Sequence, residues 1–331
     1  MANVNFQFRK TDSGVAIEKY FGADSTVEIP STIDDLPVVE IASETFADCG
    51  LTKIIFPDTL KTIGDGAFRN CAGLTEIIFP DALESIDGFS GCTGLTTIKF
   101  PAALKSLDGF NDCTGLTKID LSNCLQLRSI GDGAFKDCTG LTEIVFPDEL
   151  TALDGFNNCA GLTNIRFPKN LRTIDGFGNC VSLRELDLSA CTNLKSVGNR
   201  CFGGCTGLTK IIFPDGVKSI DGFNGCTNLR EIFWPSGLKS IGDIFAGGAF
   251  DNTGLTEIHF PDGVESIDGF NGCTNLREIF LPNGLKSIGT VTGGAFKKCS
   301  SLKIVRVPKN ISDDVKKFID ELPDGCEVHY A

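Results

Sequence analysis

One phrase is repeated along most of this chain, and that repetition limits what it can fold into. The phrase is clearest at 51–73, LTKIIFPDTLKTIGDGAFRNCAG. It returns at 74, 95, 116, 141, 162, 183, 208, 229, 255, 276 and, in part, 302. Each return keeps the order Leu, Ile, an apolar residue followed by Pro or Ser, Ile, Phe and usually Cys. A unit of 21–26 residues is too short to enclose a core of its own. It must lay its apolar face against the next unit, which is the logic of a solenoid. A chain of 331 residues would otherwise be expected to divide into two or three globular domains. The repeat predicts instead one elongated, mostly β array over 24–308, with 1–23 and 309–331 as end caps.

Within a unit the pattern can be read residue by residue. In LTKIIFP, Leu51, Ile54 and Phe56 should point inward, and Ile55 between them outward, by the alternation of a strand. Pro57 cannot donate to a ladder and should end the strand at a corner. Leu60 and Ile63 then form a second short inward segment, and Phe68 returns to the core. Phe holds that last place in every coil from Phe46 to Phe296. Two coils replace Phe-Pro by Leu-Ser, at Leu121-Ser122 and Leu188-Ser189. Residues 208–242 match 255–289 at 30 of 35 positions, which points to duplication of a two-coil block.

The ends depart from the repeat. Phe6 and Phe8 alternate with polar residues, Thr11-Asp12-Ser13-Gly14 reads as a turn, and Val15, Ile17 and Tyr20 continue on a second strand. A hairpin there would cover one open end of the core. At the other end, Asn310–Leu322 reads as a helix. Ser312 is its N-cap, and Val315, Phe318, Ile319 and Leu322 form its apolar face. Cys326–Tyr330 reads as a last strand.

Eleven of the fifteen Cys stand in one column, from Cys49 to Cys299. The number is odd and one coil has Asp251-Asn252-Thr253 where Cys is due, so free buried thiols are expected rather than a disulfide scaffold. Net charge is −13, which opposes nonspecific binding to nucleic acid or to anionic membrane. No run is long enough for a membrane-spanning helix, so no membrane insertion is expected. The opening MANVNFQFRK has no apolar signal core. That and the free-thiol pattern lean toward a cytoplasmic setting.

The coils LTEIIFPDALESIDGFSGC at 74–92 and GLTEIVFPDELTALDGFNNC at 140–159, with the closings IGDGAFRNC and IGDGAFKDC, resemble the BspA-like, or Treponema pallidum type, leucine-rich repeats. The resemblance covers about 24–308. It implies an α/β-type, mostly β, right-handed leucine-rich-repeat solenoid of short parallel strands. It also implies a surface or secreted setting, a role in adhesion or protein binding, and no catalytic residues.

The residues themselves offer little chemistry. There are two His, and neither a phosphate-cradling loop nor a nucleophile elbow occurs. The chain therefore reads as no enzyme, with no cofactor and no metal site. Cys201 and Cys205 are separated by three residues rather than two, and Cys201 takes the place of the Ala in the GAF phrase, so the pair reads as core rather than as a zinc site. The Asp that opens each Asp-Gly-Phe phrase reads as an acceptor for turn amides more readily than as a calcium ligand.

Two outward columns remain as candidates. The first passes through Ile55, Ile78, Lys99, Asp120, Val145, Arg166, Asp187, Ile212, Phe233, His259, Phe280 and Arg306. It is varied where the core is monotonous, and six of its twelve residues are apolar on what should be a wet face. The second is a basic stripe through Lys105, Arg128, Arg172, Lys195, Lys218 and Lys239. The expected function is a monomeric, non-catalytic scaffold whose strand face meets a protein or, second, a glycan. A purely structural or assembly module without a specific ligand is the alternative.

Overall fold

The computed structural model describes residues 5–198, 201–242, 248–289, 295–322 and 325–330. Two compact units divide the chain, Met1–Pro168 and Lys169–Ala331. Both are built from the same coil, and the fold is a mostly β parallel solenoid. Each regular coil contributes a three-residue strand and a two-residue strand, and each kind stacks in its own parallel row.

In the first unit, the hairpin Phe6–Thr11 and Gly14–Tyr20 pairs antiparallel. Its second strand pairs parallel with Leu36–Ile41. That row continues through Thr62–Ile63, Ser85–Ile86 and Ser106–Leu107. The hairpin thus caps the array by joining the short-strand row, and Tyr20 lays its ring 5.1 Å from that of Phe46. The three-residue row includes Lys53–Ile55, Glu76–Ile78, Thr97–Lys99, Lys118–Asp120, Glu143–Val145 and Asn164–Arg166. In the second unit this row comprises Glu185–Asp187, Lys210–Ile212 and Glu231–Phe233, then Glu257–His259, Glu278–Phe280, Ile304–Val307 and Glu327–Tyr330. The last strand lies parallel to Ile304–Val307, with His329 opposite Arg306.

The strands are short because Pro or Ser turns the chain at the same place in each coil, so the sheets alone cannot supply much stability. The core does. Leu51, Ile54 and Phe56 are all buried, and so are Leu60, Ile63 and Phe68. Phe46, Phe68, Phe89, Phe110, Phe135 and Phe156 stack ring on ring, 4.9–5.7 Å apart and within 19° of parallel. In the second unit, Phe177, Phe202, Phe223, Phe250, Phe270 and Phe296 do the same at 5.2–5.4 Å. A second aromatic column meets each stack edge-on. Phe56 reaches Phe68 at 5.7 Å and 87°, Phe79 reaches Phe89 at 5.6 Å and 76°, and Trp234 reaches Phe250 at 5.5 Å and 75°. Offset stacking and edge-to-face contact are the two arrangements that the ring quadrupole favours, and this core uses both.

The Cys column works with the Phe column. Cys71 Sγ donates to the carbonyl of Phe46 at 3.1 Å, Cys92 to Phe68 at 3.2 Å, and Cys113 to Phe89 at 3.1 Å. Cys226 and Cys299 repeat this on Phe202 and Phe270. Every cysteine is a free thiol, as the odd count suggests. Burial pushes Cys71, Cys92 and Cys159 up to about 12, so these groups stay protonated donors. Where Cys is replaced, Thr253 Oγ1 lies 3.1 Å from Cys273 Sγ and keeps the column polar.

The residue just before the Cys position is left-handed: Asp48, Asn70, Gly91, Asp112, Asp137 and Asn158 in the first unit, with φ between 57° and 71°. Asn, Asp and Gly are the types that tolerate this region, which is why this column reads N, D or G in the first unit; Lys298, before Cys299, holds the same conformation with φ 63°. The Asp of Asp-Gly-Phe accepts from the amide of its own Gly: Asp108 from Gly109 at 2.8 Å, Asp154 from Gly155 at 2.5 Å, and Asp221 from Gly222 at 2.6 Å. This is the turn role expected of these residues. Among the described residues no group of three or more His, Cys, Asp or Glu is placed to hold a metal ion.

The C-terminal helix spans Asp313–Asp320, shorter at both ends than the predicted Asn310–Leu322. Ser312 sets the start: its backbone is extended and its Oγ accepts from Val315 N. Val315 and Phe318 are buried, and the Phe318 ring lies 5.7 Å from Phe296. The helix therefore closes the aromatic stack of its unit. No described helix is long and apolar enough to cross a membrane.

Two outcomes follow for stability. Phe89 has ring neighbours on both sides and one edge-on, so Phe89→Ala should cost about 3–5 kcal/mol in urea unfolding. Phe89→Leu should cost clearly less. A midpoint unchanged by the Ala variant would show that the stack does not carry the fold. The second outcome concerns pH. Burial, with Asp108 and Asp65 nearby, raises Asp87; burial, with Asp132 and Asp65 nearby, raises Asp108. An acid whose folded pKa is raised favours folding when protonated. Its contribution is complete below its ordinary value of 3.8 and is lost as pH climbs through the raised value. The contribution of these two acids should therefore grow as pH falls through their raised values toward 3.8, and Asp87→Asn with Asp108→Asn should flatten that slope. A slope identical in the double variant would contradict the assignment.

Candidate binding face on the strand row

In each three-residue strand the middle side chain enters the core and the outer two face away. Parallel register then lines the outer ones up: Asp120, Val145 and Arg166 are partners in the first unit. In the second unit, Asp187, Ile212 and Phe233 are partners, and His259, Phe280 and Arg306 are partners. The expected outward column therefore exists within each ladder. Ile55, Ile78 and Phe233 are 40%, 58% and 52% exposed. Lys99, Arg166 and His259 are exposed too, while Val145, Ile212 and Phe280 are half-buried.

Neighbouring side chains account for the half-burial of Phe280. The ring of His259 stacks on Phe280 at 3.8 Å, and the guanidinium of Arg306 lies 5.1 Å from its centroid. Arg306 Nε also donates to Glu278 at 2.5 Å. In the other ladder, Lys210 Nζ lies 5.4 Å from the centre of Phe233 and bonds Glu185 at 2.9 Å. Such cation–ring contacts contribute about 0.5–1 kcal/mol at an exposed site. Glu257 is hydrogen-bonded to His259 on its own strand.

Grooves lie along this same column. One of about 530 Å³ is lined by Ile55, Ile78 and Lys99; one of about 820 Å³ by Val145 and Arg166; and one of about 370 Å³ by Phe233 and His259. Two lining residues were not singled out from the sequence. Leu125, 56% exposed, follows the Leu-Ser corner and borders the 820 Å³ groove. Trp234 sits where other coils have Phe, and its larger ring stays half-buried and borders the 370 Å³ groove. The one Trp in a Phe column was the available signal.

Some variation in the column has a purely local cause. Asp120 Oδ1 accepts from Ser122 N at 3.0 Å, and Asp187 Oδ1 from Ser189 N at 2.9 Å. Pro brings no N–H to that corner and Ser does, so the Leu-Ser coils need an acceptor two residues back. The Ser122 hydroxyl, and then its amide, hold Asp120 below the usual carboxylate range. The two acids in the column belong to the corner.

The basic stripe is also tied to its neighbours. Lys105 pairs with Glu84 at 2.6 Å, and Lys239 with Glu265 at 3.4 Å. Lys218 and Lys239 donate to the corner carbonyls of Gly237 and Gly263, each at 3.2 Å, and Arg128 to that of Leu125 at 2.8 Å. Arg172 and Lys195 are exposed.

Known proteins match this geometry. The chain superimposes on a leucine-rich cell surface protein from Faecalibacterium prausnitzii with a TM-score of 0.56 and 22% identity, covering 97% of this chain and 96% of that one. A leucine-rich repeat protein from Bacteroides ovatus gives 0.56 and 27%, covering 100% and 99%. The pneumococcal vaccine antigen PcpA gives 0.54 and 19%, covering 100% and 93%. No curated protein matches the chain. The family model described as the BspA type leucine rich repeat region matches residues 39–155, 128–245, 152–269 and 244–318. With those matches covering most of its length, the chain belongs to the BspA-type leucine-rich repeat family.

Proposed function

We propose that this protein is a non-catalytic binding scaffold whose outward strand column receives a partner protein, in the manner of an adhesion or recognition module. The repeat family suggests a protein-interaction scaffold, and the reading of this particular face rests on one observation. Apolar and aromatic side chains stand exposed in the same column that borders the grooves, on strands whose other outward residue is polar. Exposed apolar surface next to concave surface marks contact sites, and interfaces are enriched in aromatic residues and Arg, both present here. The ladders fix the column before any partner arrives, so little ordering is lost on binding.

The test uses the intact chain, immobilised and exposed to protein extracts and to a glycan array. The triple variant Arg166→Glu, Phe233→Ser, Phe280→Ser should keep its melting temperature within a few degrees and lose about tenfold or more in affinity for the captured protein. Capture that survives all three changes would overturn the strand-face reading and favour a purely structural module. Capture of glycans alone would overturn the choice of a protein partner.

A further inference from the structure

The tetrapeptide Arg-Glu-Ile-Phe occurs twice, at 230–233 and at 277–280. In the second copy the next coil completes a small site. Arg306 lies over the ring of Phe280 and donates to Glu278, so one guanidinium is held by a ring and a carboxylate together. The first copy presents the same ring and carboxylate, Phe233 and Glu231, but the next coil offers Glu257 and His259 and no cation. Strands Glu231–Phe233 and Glu257–His259 also belong to different ladders. The groove of about 370 Å³ lies between them, bordered by Phe233, Trp234, Glu231 and Glu257.

We propose that this groove is a slot for an arginine side chain carried by a basic segment of the partner protein. The proposal rests on the strand-face reading above and names the chemistry of the partner. The incoming guanidinium takes the place that Arg306 fills on Phe280: it stacks on Phe233 and donates to Glu231. Among the described residues Glu231 makes no salt bridge of its own: Lys210, which also feels its charge, gives its ammonium to Glu185. Arg230, which also lines the groove, turns Nη1 to the carbonyls of Thr227 at 3.1 Å and Leu229 at 2.9 Å. Glu257, occupied in part by His259, adds a second negative charge at the groove.

Comparison of the duplicated blocks supports this. They differ at five of 35 positions, and Lys210 and Ile212 of one block become Glu257 and His259 of the other. The core demands nothing at these outward sites. In the first block Lys210 stands in register between Glu185 and Glu231. In the second, Glu257 stands directly opposite Glu278, whose carboxylate Arg306 already answers, so Glu257 keeps its charge at the groove. A net charge of −13 favours approach of a basic segment.

Trp234 is the single tryptophan and borders the slot, so its fluorescence reports occupancy. The intact chain is titrated with acetyl-Gly-Arg-Gly-amide and with the same peptide carrying citrulline, which has the shape of arginine without its charge. The arginine peptide should give a saturable change, about tenfold weaker with citrulline and about tenfold weaker in Glu231→Gln. Phe233→Ser, a change at an exposed position, should abolish the response while leaving the melt in place. No saturable change, or equal responses to the two peptides, overturns the arginine slot. If that happens while the triple variant above still loses its captured protein, the strand face stands and only its proposed chemistry fails.

Discussion

The structure depends on Phe rings stacked at about the spacing of adjacent coils. Strand separation in a parallel sheet is about 4.8 Å, and the rings sit 4.9–5.7 Å apart in the first unit. A Phe at the same place in every coil can thus touch its counterparts above and below without distorting the ladder. The backbone at most of these Phe residues is used as well, because the thiol of the following coil's Cys donates to its carbonyl. Packing and hydrogen bonding are satisfied by the same two columns. This explains why strands of two or three residues suffice: they set the spacing, and the stacked rings fill the core together with the buried Leu and Ile columns.

Much of this was legible from residue order alone. The period, the inward Leu, Ile and Phe, the corner at Pro57, the hairpin cap and the capping helix all follow from local rules. The edge-on column of Phe56, Phe79 and Trp234 was not legible, because ring angles depend on how coils superpose. The thiol-to-carbonyl bonds were hidden for a similar reason: Cys92 and Phe68 are 24 residues apart, and no local pattern joins them. The helix is shorter than the apolar pattern suggests because Ser312, with its extended backbone, is the N-cap and Glu321 the C-cap, which leaves Asn310 and Leu322 outside it.

The candidate face was legible as a column and less so as chemistry. Alternation alone brings Ile55, Ile78 and Phe233 to the surface. Periodicity could not show that Asp120 and Asp187 answer the Leu-Ser corner, nor that Lys105, Lys218 and Lys239 are engaged with neighbouring carboxylates and carbonyls. It also could not show that Phe280 lies between His259 and Arg306 while Phe233 borders a groove. Identical tetrapeptides have different surroundings because the following coils differ, and in a repeat protein each site is completed by its neighbour.

Scaffold and face are thus largely separable: the inward columns hold the fold, and the outward column, apart from the corner acids Asp120 and Asp187, is not demanded by it. The most direct measurement replaces Glu257 and His259 together by Lys and Ile, the pair that the duplicated block carries at 210 and 212. Its stability in urea is compared with that of Ile258→Ala, the buried residue between them. The outward double change should stay within about 1 kcal/mol of the parent, and the single inward change should cost about 2–5 kcal/mol. If the outward pair costs as much as the inward one, the face is part of the scaffold and the separation is wrong.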